Sequence, residues 1–430
     1  MRKRDSPKRM RTRPKLLLSF LVLTIIVGVL FVYILPKAFS NQKYQQQLSM
    51  ALEELQKTYE LALNKVEVLA KDFQINTPED VSEGLDPISD FCGIADAMIK
   101  VGELEKAKYA LNKALPLTQR IKPPYYLALS LSDIASTMSK LDSEEAKNLF
   151  GEAIQAALRD TYSPTFAFRY IAGKMASAGL YDEALKVIEN IKDISVRIEA
   201  LSEIAMKMAK DGKKQEAKKL VDQTVNLSRK VTDSTSKNTI LSNLAEAMCA
   251  VDLFDKALET AQSIKDDYYR AMSLTNIARS LLTKGKKEEA VSLLKQSLKI
   301  AKGIKDPCSL PLALSEVGEM FAQSGQIEEA KKILADASKA SQKLHEVEPD
   351  FYPVARDSVI ESMAESGLFD EALKIAKADE DPRSFTTIVE AMARHKLFDR
   401  ALTIAKEIPN PKESLTALAA IIAEIKATEK

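Results

Sequence analysis

Two histidines, His345 and His395, are the only imidazoles in 430 residues, and fifty positions separate them. Each closes a helical run, in "KASQKLHEVEPD" and "EAMARHKLFD", where a cation is favoured by the helix dipole. A metal site would need more ligands than this pair supplies. Cys92, Cys249 and Cys308 are isolated and odd in number, with no C-x-x-C, so they read as small packing residues and not as a disulfide framework. No phosphate-binding glycine loop, H-E-x-x-H or G-x-S-x-G occurs. Paired acids are common, but "EE" and "DE" fall at helix starts, where acids complement the dipole before they serve as catalytic dyads. The expectation is a protein that is not an enzyme and holds no cofactor or metal. An α/α enzyme without a recognisable motif stays open as an alternative.

The elements behind these residues repeat. "GLYDEALKVI" at Gly179, "VDLFDKALETA" at Val251, "GLFDEALKIA" at Gly367 and "KLFDRALTIA" at Lys396 are one phrase, and a catalytic motif normally appears once. The alanine of the phrase falls at Ala107, Ala146, Ala184, Ala217, Ala257, Ala290, Ala330, Ala372 and Ala401, at intervals of 29 to 42 residues. Each unit reads as two helices, A ("RIEALSEIAMKMAKDG") and B ("KKQEAKKLVDQTVNLSRKV"). Leu201, Ile204, Ala205 and Met208 keep three-and-four spacing, which buries one face of helix A. Gly102, Gly179, Gly212, Gly285, Gly325 and Gly367 end helix A where a left-handed residue is needed. Asp193, Asp233, Asp266, Asp306 and Asp381 stand before helix A as N-caps or first-turn acids. A short turn makes the two helices antiparallel, and the small alanine lets them approach.

This pattern resembles the tetratricopeptide (TPR) repeat family over roughly residues 86–430. The turns "GLYDEA", "GKKQEA", "GKKEEA", "GQIEEA" and "GLFDEA" carry the likeness. So do Ile134-Ala135, Ile171-Ala172, Ile204-Ala205, Leu244-Ala245 and Ile277-Ala278 at the family's Leu-Gly positions. The family's tryptophan is absent and the period wanders. The resemblance implies an all-α, right-handed α-α superhelix of about nine hairpins, with the A helices lining a concave groove that binds a protein or peptide. Counting back from each turn alanine, it implies a first groove row of Arg169, Ser202, Ser242, Thr275, Ser315, Asp357 and Thr386. A second row, one turn on, is Met206, Glu246, Arg279, Glu319, Glu361 and Glu390. Asp357 and the four glutamates against Arg279 make the C-terminal half of the groove acidic, which would favour a partner with a basic segment. The same positions read equally as solvated surface.

Composition agrees with a folded helical chain, 46% hydrophobic and 29% charged. The net charge of +1 hides a basic tail, residues 1–15, at +7 and a remainder at −6, so no nucleic-acid partner is expected. Residues 16–35, "LLLSFLVLTIIVGVLFVYIL", carry no charge and are long enough for one transmembrane helix. With the tail before it, the positive-inside rule predicts a single-pass membrane protein, N-terminus cytoplasmic and solenoid extracytoplasmic, periplasmic or extracellular. The alternative is a signal peptide cleaved after Ser40, releasing the solenoid. Residues 41–75 then form a juxtamembrane helix. Leu48, Leu52, Leu55, Tyr59, Ala62, Val66, Leu69 and Phe73 make a heptad seam on it, for a cap on the first repeat or for a homodimeric coiled coil through 48–73.

Overall fold

The computed structural model describes residues 35–80, 86–379 and 381–428. The basic tail and nearly all of segment 16–35 lie outside these residues. The single-pass localisation is corrected here: no helix among the described residues is long and apolar enough to cross a membrane.

Twenty α-helices are present among the described residues, with no strand. The first, α1 (Leu35–Lys71), is the helix expected over 41–75. Nine helical hairpins follow, each an A helix and a B helix. They are α2 (Pro87–Val101) with α3 (Leu104–Ala114), α4 (Pro124–Met138) with α5 (Ser143–Arg159), and α6 (Pro164–Ser177) with α7 (Tyr181–Ile188). Next come α8 (Ile194–Lys210) with α9 (Lys214–Ser228), α10 (Ser234–Ala250) with α11 (Phe254–Ser263), and α12 (Asp267–Thr283) with α13 (Lys287–Ala301). The last three are α14 (Ser309–Gln323) with α15 (Ile327–Val347), α16 (Tyr352–Glu365) with α17 (Phe369–Asp379), and α18 (Pro382–Arg394) with α19 (Phe398–Glu407). A final A helix, α20 (Pro411–Thr428), ends the described chain.

Local chemistry sets the turns. At the end of α2 the Gly102 amide donates to Ile99 O and the Glu103 amide to Met98 O, which requires Gly102 at φ 90°, a conformation that costs a residue with a Cβ. The other five expected glycines share a positive φ, and Asp252 and Lys396 take it, at φ 62° and 61°, in two hairpins that lack glycine. Asp193, Asp233, Asp266 and Asp381 cap their helices, and the Asp306 carboxylate accepts the Ser309 amide. All nine phrase alanines are buried where helix B meets helix A.

Even-numbered helices pack side by side, and each odd-numbered helix packs on its own A helix and on the next one. The A layer is therefore the inner one, and one main core runs through the stack, with Phe91, Phe150, Phe321 and Phe398 fully buried and a smaller cluster of Ile198, Val231, Ile240 and Leu244 at α8 and α10. Gly318 permits the tightest contact: a Cβ there would lie 2.8 Å from the Leu334 side chain of α15.

The array closes on itself. Helix α20 packs against α18 on one side and against α2, the first A helix, on the other. Helix α1 then covers α20 from outside, as a B helix covers its A helix, and also touches α2 and α19. It thus supplies the tenth hairpin with its outer helix from the opposite end of the chain. Leu55, Tyr59, Ala62 and Val66 of the heptad seam are buried within the chain, with Leu48 half-buried and Leu52 exposed. Most of the expected seam is spent on closing the ring and is not free for a second copy. Past α1, a parallel bridge between Ile75 and Ile121 ties the connection to α2 onto the rim.

Candidate partner-binding channel

Ten A helices in a closed inner layer surround a central channel. With about 9 Å between axes the axes fall on a circle of roughly 15 Å radius, and a helix radius of about 5 Å leaves an opening roughly 20 Å across.

The two expected rows fare differently. Ser202, Thr275, Ser315 and Thr386 of the first row are buried and turn toward the packed layer. Thr275 shares a hydrogen bond of 2.9 Å with Ser297 of the outer helix α13, and Ser315 donates to Pro311 O. The difference is one of rotation: one residue further along an A helix is about 100° further round, and the residues at that next position are less buried. There stand Tyr170, Glu203, Asn276 and Glu316, all half-buried, which the count from the sequence missed. From the first row Arg169 and Asp357 reach the surface by length of side chain, Arg169 pairing with Glu199 at 3.0 Å, and Ser242 is half-buried. The second row stays accessible: Met206, Glu246, Arg279, Glu319 and Glu390 are half-buried and Glu361 is exposed.

Polar contacts join neighbouring A helices along the channel wall. Lys140 meets Asp96 at 2.6 Å, and Asp133 accepts from the Tyr170 hydroxyl at 2.7 Å and from Lys174 at 2.6 Å. Asn276 donates to Glu246 at 3.4 Å, Arg279 pairs with Glu316, Ser362 donates to Glu319 at 3.4 Å, and Arg394 pairs with Glu365. On the α18–α20–α2 side, Thr386 donates to Glu413, Lys412 holds Asp90 at 2.8 Å, and Lys100 reaches Glu390 at 3.6 Å.

Charge is uneven round the wall. From α10 to α18 it carries Glu246, Glu316, Glu319, Glu361, Glu365 and Glu390, of which Arg279 and Arg394 neutralise Glu316 and Glu365 most directly. Burial is the main cause that pushes the Glu319 carboxyl up to about 7; Glu316 adds to it and Arg279 opposes it. Burial also raises Glu246 above the ordinary carboxylate range. From α4 to α8 the wall is mixed, with Phe166, Arg169, Lys174 and Glu203 lining a hollow of about 460 Å³. A second cavity, of about 330 Å³, opens at the rim between Phe73, Asp86, Tyr126, Asp133 and Tyr170. His345 makes an edge contact with Tyr352 and His395 with Phe369, at 4.9 and 5.3 Å between ring centres, and His395 Nε2 lies 3.2 Å from the Glu365 carbonyl oxygen. Cys92 and Cys249 are buried and unpaired, and burial raises both thiols, Cys249 to about 12.

Comparison with known proteins places this architecture in a class. The tetratricopeptide repeat family model matches residues 249–303, which span α11, α12 and α13. No curated protein sequence matches the chain. Among solved structures, Ton1535 from Thermococcus onnurineus NA1 is 17% identical, over 88% of this chain and 99% of its own, with a TM-score of 0.32. Aspartyl phosphate phosphatase F from Bacillus subtilis is 14% identical, over 77% and 94%, at 0.32. A signal-transduction ATPase with a tetratricopeptide repeat sensor from Pyrococcus horikoshii is 14% identical, over 76% and 62%, also at 0.32. These scores transfer no site and no activity. The chain folds as a TPR-like helical repeat protein, an all-α solenoid.

Proposed function

We propose that the protein is a binding scaffold whose channel takes a protein or peptide partner through a basic segment. The observation that carries this reading is the acidic arc from α10 to α18, in which Glu246, Glu316, Glu361, Glu365 and Glu390 outnumber Arg279, Arg394 and Lys100. Complementary charge steers encounter and sets register more than it adds affinity. Partner contact is expected at Met206, Glu246, Arg279, Glu319, Glu361 and Glu390, with Arg169, Ser242 and Asp357 at the edge. Ser202, Thr275, Ser315 and Thr386 support the wall from behind.

The test is a titration of a Lys/Arg-rich peptide against the intact chain at rising salt. Binding should weaken with salt, because exposed charges more than about 8 Å apart are largely screened at physiological ionic strength. Replacing Glu319, Glu361 and Glu390 together by Gln should weaken it further while leaving the helical content unchanged. A peptide that binds the triple variant as well as the original would remove this reading.

A further inference from the structure

Among the described residues the ring closes without an open groove along its side. Helix α20 is buried on every face that meets protein, with Leu415, Leu418, Ile421, Ile422 and Ile425 inside. It is held to α2 by Lys412 on Asp90 at 2.8 Å and by Lys426 donating to Val101 O at 2.7 Å. From outside, α1 fastens to α19 through Lys43 on Asp399 at 2.9 Å and through the Tyr44–Phe398 ring pair at 5.9 Å. Separating these elements would expose a full helix of apolar side chains to water, a cost proportional to the area uncovered.

We propose that the partner segment enters the channel end-on, as one helix or one extended strand, and that a segment without a free end is excluded. This rests on the channel being the binding surface. Width supports it: an opening roughly 20 Å across passes an α-helix of about 10–12 Å but not a folded domain, whose radius of gyration alone is about 13 Å at 100 residues. Depth supports it as well. Glu316 sits mid-way along α14, and Glu246 and Glu319 lie a turn or more inside the ends of α10 and α14. A chain lying across the mouth would meet Glu365 at the end of α16 and miss those three.

The experiment uses the intact chain and two probes. Each contains a Lys/Ala segment of about 30 residues, which as a helix outruns the roughly 25 Å depth of the ring. In the first probe a folded domain is fused to one end, and in the second the same domain is fused to both ends. The singly capped probe should bind with an affinity lowered by the Glu319, Glu361 and Glu390 to Gln changes. The doubly capped probe should bind about tenfold more weakly or worse. Equal affinity for the two probes, both sensitive to the Gln changes, would overturn end-on entry and leave the channel reading intact. A singly capped probe indifferent to the Gln changes would overturn both.

Discussion

Hairpin α14/α15 and the tenth hairpin, α20/α1, place an inner and an outer helix in similar contact by different means. In the first a three-residue turn, Ser324-Gly325-Gln326, joins the helices, and Gly318 lets them meet at a distance no Cβ would permit. In the second, the two helices come from opposite ends of the chain and no turn connects them. Closing a loop of some 350 residues instead of 4 costs about 4 kcal/mol more in chain entropy, an upper figure when the intervening repeats are already folded. That α20/α1 still forms shows that packing defines the repeat and the turn only lowers its entropic cost. The seam also meets α2 more loosely, since a Cβ on Gly93 would find its nearest atom, in Lys412, at 3.6 Å.

The largest expected effect separates the two by shape. Leu418→Ala on α20 and Leu294→Ala on α13 both empty a fully buried site and should each cost about 3 kcal/mol in urea unfolding. Only the seam variant should also loosen the ring and raise the radius of gyration in solution scattering. Equal radii for the two would mean that the seam is as firm as a covalent hairpin.

Glycine substitutions sharpen the same contrast. Gly318→Ala forces the Leu334 side chain to move and should cost about 1–3 kcal/mol. Gly93→Ala at the seam meets ordinary contact and should fall within about 0.5 kcal/mol of neutral, read from shifts in denaturant midpoint. A seam as tight as α14/α15 would bring the two costs together.

Lys412→Met should cost about 1–2 kcal/mol by leaving the half-buried Asp90 without its cation, and the loss should show in faster hydrogen exchange along α20 first. Uniform exchange across all A helices would show that the seam has no separate stability.

The smallest effect is a pH dependence. The folded state holds a proton on Glu319 up to about pH 7, whereas the unfolded chain releases it near 4.5. Stability contributed by this group is therefore present below pH 4.5 and falls as pH rises through 7. The groups around it are Glu316 on its own helix, Arg279 on α12, and Glu361 and Glu365 on α16; α15 offers Ile333 and Leu334 to the nearby Gly318. Glu319→Gln should thus stabilise the protein by about 1 kcal/mol at pH 8 and change little at pH 4.5. A stability curve unchanged by the substitution would place Glu319 in water.

The repeats were legible because each is a local solution: Gly179 must be left-handed, Asp193 must cap, and Ala217 must be small, all within one helical hairpin. The channel was legible in part. Counting from the turn alanine gave accessible positions at Glu246, Glu319 and Glu390 but also the buried Ser202, Thr275, Ser315 and Thr386, since the resemblance carries a register and not a rotation. The single-pass expectation drawn from residues 16–35 is not carried forward, because no described helix is long and apolar enough for it.

By itself the sequence determined the unit, because glycine, aspartate and alanine act within one turn of their own position. It determined the acidic bias of the later A helices too, because that is a count of charges on one face. Closure was decided only by the tertiary structure: the small rotation from each hairpin to the next is set by how side chains interlock, and only its sum over ten A helices brings α20 back to α2. The role of α1 was decided there as well. Its seam of Leu55, Tyr59, Ala62 and Val66 suits any apolar partner, and the ring made α20 the one within reach.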